Sequence, residues 1–388
     1  MSGCIVGWCH GVFGRHENED LESLIASVAG AAIADAGLQP EDIDAVWLGH
    51  FNSGFTEQDF CASLVMNAVP GLRYRPATRV ENACATGSAA IHGALDAIAA
   101  GRIRTALVIG AEHMTGQPGK RIGEILLHAS YLKEESDIDG GFAGLFAGIA
   151  DRYFAAYGDQ STALAHIAAK NHANGLANPY AQMRKDLGVS FCDTVSERNP
   201  IVAGRLRRTD CSPVSDGAAA LVLAADDVAA GMAKAVRFRS RAQVNDLMPM
   251  SARDMSWLDG AARAWAQAFE AAGMTLDDLS LVETHDCFTV AELMEYEAMG
   301  LTPRGQGARA ALEGWTAKDG RLPVNPSGGL KAKGHPIGAT GVSMHVMAAM
   351  QLCDAAADMQ IAGAQAAGIL NMGGAGVANY VSLLERLK

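Results

Sequence analysis

The sequence predicts an internally duplicated α/β fold, with two similar halves and an inserted, mostly helical segment between them. Three observations carry this reading. Residues 36–46 align without gaps with residues 272–282, pairing Gly37 with Gly273, Asp42 with Asp278, Ile43 with Leu279 and Val46 with Val282. The triplets Ala85-Thr86-Gly87 and Ala339-Thr340-Gly341 each open an apolar helical stretch, and a strand-like run follows each, at Thr105–Gly110 and Ala367–Leu370. Residues 118–212 break the pattern with charge and turn residues.

The elements follow in order. An Ala-rich helix ends at Gly37, as helices commonly do, and a short apolar strand runs to Gly49-His50. A second apolar segment, Ala89 to Ala100, has helical spacing and leads to the strand at Thr105. The middle carries Lys120-Arg121, Lys133-Glu134-Glu135 and Arg205, Arg207 and Arg208, with amphipathic stretches at Gly144–Tyr157 and Ser161–Asn174. Such an insertion is expected to cover a site. Ser212 to Gly217 then returns the chain to a buried strand, Ala218–Ala225. The second half repeats the helix–strand–helix–strand order, its first strand ending at His285-Asp286. The expected division is 1–117 (completed by about 213–235), a loop or lid domain at 118–212, and 236–388, with two similar sheets packed together.

Composition narrows the function. In 388 residues, 49% are hydrophobic and 19% charged, enough for a large core. The net charge of −12 argues against a general nucleic-acid or anionic-membrane surface, although not against a local basic patch. Eight dispersed cysteines without paired metal-ligand spacing fit a reducing compartment. The N-terminus reads as free of a secretory leader and no apolar run is long enough to span a bilayer, so a cytoplasmic protein is expected.

Cys84 is the candidate nucleophile. It precedes an apolar helix, where unpaired N–H groups and the helix dipole are expected to favour the thiolate. An inert buried thiol is the ordinary alternative. Gly334-His335-Pro336 opens the matching downstream helix, and Cys plus His is the minimal kit for an activated nucleophile. No metal site is expected, since the histidines show no spaced ligand cluster. Gly373-Gly374-Ala375-Gly376 lacks the context of a dinucleotide fingerprint and reads as a close backbone approach to a ligand.

Asn82-Ala83-Cys84-Ala85-Thr86-Gly87, Ser215-Asp216-Gly217-Ala218-Ala219-Ala220, His285-Asp286-Cys287-Phe288, Gly334-His335-Pro336 and Asn371-Met372-Gly373-Gly374 together resemble the thiolase family along nearly the whole chain. The likeness is to the sterol carrier protein type, on His285-Asp286-Cys287-Phe288 and on Lys170-Asn171-His172 leading to Asn178-Pro179-Tyr180-Ala181-Gln182. The resemblance implies a five-layered α/β/α/β/α fold, a homodimer or dimer of dimers, and acyl transfer between CoA and acyl-CoA without a bound cofactor. It implies Cys84 as nucleophile, His335 as its base and a later oxyanion stabiliser, and the N–H groups of Cys84 and Gly373, with His285, as oxyanion donors. Most thiolases carry an acid–base cysteine where this chain has Asn371, so that role passes to Cys287. Lys120, Arg205, Arg207 and Arg208 are candidates for the CoA phosphates or a solvated charged face. Met114 and Met372 are candidates for the acyl pocket or generic filler. Two other readings are a decarboxylating ketosynthase-like enzyme, built on Cys84, His285 and His335, and an inactive thiolase-like subunit that binds a partner protein. Cys287 weighs against the first, and retention of Cys84 with His335 against the second.

Overall fold

Strands rich in Val, Ile, Leu and Ala, apolar on both faces, belong in an interior sheet flanked by helices. The computed structural model, which describes residues 3–388, has that form. Met1 and Ser2 of the expected first half lie outside the described residues. The first half comprises β1 (Gly3–His10), α1 (Leu21–Asp35), β2 (Ala45–Gly49), α2 (Cys61–Ala68), β3 (Ala77–Val80), α3 (Thr86–Ala99) and β4 (Thr105–Glu112). The chain then leaves the sheet through α4 (Gly119–Leu127), α5 (Leu132–Glu135), α6 (Gly141–Tyr157), α7 (Ser161–Ala177), α8 (Gly188–Asp193) and the small hairpin β5 (Ile201–Ala203) and β6 (Leu206–Arg207). It returns as β7 (Gly217–Ala225), buried along its length, and turns at α9 (Asp226–Ala229). The second half comprises β8 (Val236–Asn245), α10 (Asp259–Ala272), β9 (Leu281–Glu283), α11 (Thr289–Ala298), α12 (Gly307–Leu312), α13 (Gly329–Lys333), α14 (Ile337–Leu352), β10 (Ala366–Gly373) and β11 (Ala378–Arg386).

The strand order, β3-β2-β4-β7-β1-β8-β11-β10-β9, bears out the duplication. Read outward from the centre, β1-β7-β4-β2-β3 in one half matches β8-β11-β10-β9 in the other, and Val324 pairs in parallel with Val282 where β3 has its counterpart. Gly37 and Gly273 both have left-handed φ, +71° and +64°, at the equivalent helix ends. The sequence reading expected two separate sheets, and the structure corrects this. Cys4 pairs with Arg237 and Ile5 with Val236, which joins β1 to β8 in one nine-stranded sheet. That sheet folds around α3 and α14, with α14 touching strands of both halves, α1 outside the first and α10 outside the second. Counted across, this is the α/β/α/β/α sandwich.

The two central helices cross at the repeated glycines. A Cβ on Gly87 would lie 2.6 Å from the Val342 nitrogen, and one on Gly341 would lie 2.3 Å from the Ser88 nitrogen. Only glycine permits backbones that close. The crossing therefore brings the N-terminal ends of α3 and α14, and with them Cys84 and His335, to one place.

Candidate active site

Cys84 and His285 sit where a strand gives way to a turn, and His335 where one helix gives way to the next. Cys84 lies between β3 and α3, directly after Ala83, whose φ of +48° is left-handed without being glycine. That conformation costs about 1–3 kcal/mol and marks a turn held by its surroundings. Here Glu81 accepts from the Ala83 N–H at 2.6 Å. The feature escaped the sequence reading, because alanine carries no turn signal. His335 sits between α13 and α14, its N–H donating to Ser215 Oγ at 2.9 Å. The Ser215-Asp216-Gly217 motif thus holds the histidine loop. His285 follows β9, and its neighbour Asp286 accepts from the N–H groups of Leu330 (2.5 Å) and Lys331 (3.1 Å) at the start of α13. Asn171 donates to both Asp286 (2.7 Å) and Glu292 (2.6 Å), and the Gln182 N–H bonds the Lys333 carbonyl at 3.0 Å. The two motifs at 170–172 and 178–182 therefore act as scaffolding that locks the His285 turn to the His335 loop.

The sulfur of Cys84 and one ring nitrogen each of His285 and His335 lie within 4.8 Å of one another, although the three residues are far apart in sequence. The two rings meet edge to face, with centroids 5.1 Å apart at 82°. Thr340 Oγ1 donates to the Pro336 carbonyl at 2.9 Å, so its contact with His335 Nδ1 at 2.6 Å is one in which the ring N–H donates. That leaves His335 Nε2 with a lone pair, the form a general base needs.

Burial governs the ionisation. It pushes the Cys84 thiol up to about 12, against the pull of its own N–H and that of Gly374. This corrects the expectation of a resting thiolate. Cys84 precedes even the N-cap residue Ala85, so the helix end acts weakly while desolvation acts fully. His335 is lowered to about 3, by burial first and then by the Lys333 charge. His285 is lowered well below the usual imidazole range by burial, then by His335 and Lys333. Burial raises Cys287 well above the ordinary thiol value, with Cys84 the next contributor. The resting site is a neutral thiol beside neutral imidazoles.

A cavity of about 380 Å³ opens onto this group, with Cys84, Cys287, Phe288, His335, Met114, Phe142 and Lys120 among its walls. Cys287 lines the cavity, and Phe288 stacks on Phe146 of α6 at 4.4 Å, docking the insertion over the site. His285 lies behind the wall, fully buried, with no partner for its Nε2 among the described residues. Gly373 packs against the Asn82–Ala85 turn, while the N–H that addresses the Cys84 sulfur belongs to Gly374, one residue on. Met114 lines the cavity, whereas Met372 is core.

A second cavity of about 840 Å³ shares the Cys211–Val214 wall and is lined by Arg15, Lys185, Arg198, Arg208 and Lys331, with Glu197 the one acid among the described residues that line it. Of the four cations singled out from sequence, Arg208 lines this cavity and Lys120 the first. Arg205 is taken up by Asp151 at 2.7 Å, and Arg207 is buried between Asp193 (2.8 Å) and Asp210 (2.9 Å).

Cys84, His285 and His335 also have the spacing of metal ligands. The hydrogen bonds do not fit an ion. A metal-bound histidine donates its other ring N–H to an acceptor, but His285 Nδ1 faces Asn371 Nδ2 at 3.1 Å, and an amide NH2 can only donate.

Residues 5–227 match the model of the thiolase N-terminal domain, and residues 242–386 match the thiolase C-terminal domain-like model. An acetyl-CoA acetyltransferase of Methanothermobacter thermautotrophicus is 35% identical over 98% of this chain and 99% of its own. Human sterol carrier protein 2 is 30% identical over 93% of this chain and 67% of its own. Among solved structures, the Ltp2-ChsH2(DUF35) aldolase superposes with a TM-score of 0.85 at 20% identity, covering 99% of this chain and 98% of that one. Human mitochondrial 3-ketoacyl-CoA thiolase in complex with CoA superposes at 0.78 with 16% identity, covering 100% and 98%. These last two likenesses concern the fold. The duplicated sandwich, the convergent cysteine and histidines, and the two family models spanning both halves identify the chain as a member of the thiolase family of acyltransferases.

Proposed function

We propose that this thiolase cleaves 3-oxoacyl-CoA with CoA, or condenses two acyl-CoA molecules in reverse, through an acyl-enzyme on Cys84. The observation that carries the reading is the convergence of Cys84, His285 and His335 at a cavity whose wall also holds Cys287. In the cleaving direction, His335 Nε2 takes the Cys84 proton as the sulfur attacks the 3-oxo carbon. The oxygen gains negative charge beside the N–H groups of Cys84 and of the Gly373–Gly374 turn. The C2–C3 bond then breaks, and its electron pair becomes the enolate of the departing acyl-CoA. Cys287 protonates that carbon. Cys287, now a thiolate, takes the proton of incoming CoA, whose sulfur attacks the Cys84 thioester. Cys84 leaves as thiolate and recovers the proton held by His335, so every proton is returned.

The apolar cavity suits the acyl and pantetheine chains, and the adjoining cation-lined cavity suits the anionic nucleotide end of CoA. Cys287 on the wall favours this reading over a decarboxylating ketosynthase, which needs no second acid–base group. The assembly is read as a homodimer or dimer of dimers. β3 is an edge strand of the sheet, unpaired on its outer side among the described residues, and Phe60 and Tyr74, 85% and 86% exposed with left-handed φ, lie just before α2 and β3. The three-part division at 1–117, 118–212 and 236–388 remains our reading of the domains. All eight cysteines are free, which supports a cytoplasmic, reducing setting. Among the described residues, no helix is long and apolar enough to cross a membrane.

The test is incubation with a panel of acyl-CoAs and mass spectrometry of the adducted peptide. The adduct should map to Cys84 and vanish, with turnover, in Cys84→Ala. An adduct elsewhere, or a normal rate in that variant, overturns the reading.

A further inference from the structure

Asn371 occupies the β10 position where most thiolases place an acid–base cysteine, and the amide cannot exchange a proton near neutral pH. Its contacts define another task. Nδ2 lies 3.0 Å from the Cys84 carbonyl and 3.1 Å from His285 Nδ1. The Cys84 carbonyl decides which way the amide faces, because Oδ1 in that place would set two acceptors against each other. Both amide hydrogens are thereby committed, one to the carbonyl and one to the ring. His285 Nδ1 must accept, so the single proton of the neutral ring sits on Nε2. That Nε2 is fully buried and has no partner among the described residues. A buried donor left unpaired is destabilising, unless a ligand oxygen meets it. The ring it belongs to stands within 4.8 Å of the reacting sulfur.

We propose that Asn371 is a positioning residue: it locks His285 in the Nε2–H tautomer and so supplies a preformed neutral donor for the substrate thioester oxygen. His335 is held in the opposite tautomer by Thr340, with its Nε2 bare. Two histidines in edge-to-face contact thus perform opposite tasks, one accepting the thiol proton and one donating to the oxygen. The division is set by which neighbour can donate and which can accept. With the proton-transfer task assigned to Cys287, the β10 position is free to serve as a tautomer lock.

The proposal rests on the Cys84 acyl-enzyme reading, and its first test needs no turnover. Neutron diffraction of deuterium-exchanged crystals of the resting enzyme should show a deuteron on His285 Nε2 and none on Nδ1, with the reverse at His335. A deuteron on His285 Nδ1 overturns the proposal even if Cys84 is acylated normally. Failure to acylate Cys84 in the wild type would instead sink the acyl-enzyme reading. The second test is Asn371→Asp, an isosteric side chain that accepts where the amide donates. It draws the proton to Nδ1 and strips the donor from Nε2. The expected loss in kcat is on the order of 10²–10³-fold, the scale for removing one oxyanion donor, with KM for acyl-CoA within a few-fold. Asn371→Ala, which leaves the ring free to choose, should lose less. Wild-type kcat in Asn371→Asp, or equal losses in kcat/KM from a raised KM in both variants, overturns the assignment.

Discussion

Cys84 and His335 meet because α3 and α14 touch backbone to backbone, so the sharpest perturbation is one methyl group at that crossing. In Gly341→Ala the added Cβ would fall 2.3 Å from the Ser88 nitrogen, 2.4 Å from Asn371 Oδ1 and 2.7 Å from Ser88 Oγ. Ordinary contact begins near 3.4 Å, so the helices must part by roughly 1 Å, because a helix backbone nitrogen cannot swing aside. Overpacking of this kind costs about 1–3 kcal/mol. With an unfolding entropy of about 2 cal/mol/K per residue, that lowers Tm by only about 1–4 °C in a chain of this length. Activity should suffer far more. A displacement of about 1 Å between reacting groups costs on the order of 10²-fold in rate, and Ser88 is four residues from Cys84. Gly148→Ala in α6 is the control, since a Cβ there meets nothing within 4 Å and should stabilise slightly. Calorimetry and thiolysis kinetics on both variants decide the matter. A Gly341→Ala enzyme with wild-type kcat would show that the crossing does not set the distance between nucleophile and base.

Cys287→Ala should still form the Cys84 acyl-enzyme but turn over at least about 100-fold more slowly, seen as a burst without steady-state product; an undiminished steady state removes Cys287 from the mechanism. With Cys84 raised to about 12, the free enzyme holds about a thousandfold less thiolate near neutrality than an ordinary thiol would. Alkylation of Cys84 by iodoacetamide should therefore climb with pH through the alkaline range, and a plateau reached below pH 8 would mean a resting thiolate–imidazolium pair. Arg207→Ala should destabilise the fold by about 3–5 kcal/mol, because it strands Asp210 in the interior. Arg208→Ala should leave Tm unchanged and raise KM for CoA several-fold; the opposite pattern would exchange their roles.

What the sequence made legible was whatever depends on residue identity at a punctuated position. Gly37 and Gly273, the two Ala-Thr-Gly triplets and the thiol ahead of a helix are local signals, and the duplicated topology and the convergence of Cys84 with His335 follow from them. The β1–β8 join was hidden because it rests on two residue pairs whose side chains, Cys4, Ile5, Val236 and Arg237, look like any strand end. The ionisation state was hidden for a deeper reason. Dipole and hydrogen-bond contributions belong to the few residues beside Cys84 and can be read locally, whereas desolvation sums over every neighbour that excludes water. Here the sum wins. The same logic separates Arg207 from Arg208, adjacent in sequence, one consumed by Asp193 and Asp210 and the other facing a cavity. A neutral thiol beside a neutral imidazole, both buried, does not transfer its proton unaided, since the resulting charges would be as poorly solvated as the thiolate itself. Negative charge is stabilised where donors already point, at the Cys84 and Gly374 N–H groups and, in the tautomer proposed above, at His285 Nε2. On the proposed acyl-enzyme route, proton transfer is coupled to the arrival of a carbonyl oxygen at those donors, and burial disfavours the Cys84 thiolate until that oxygen is in place.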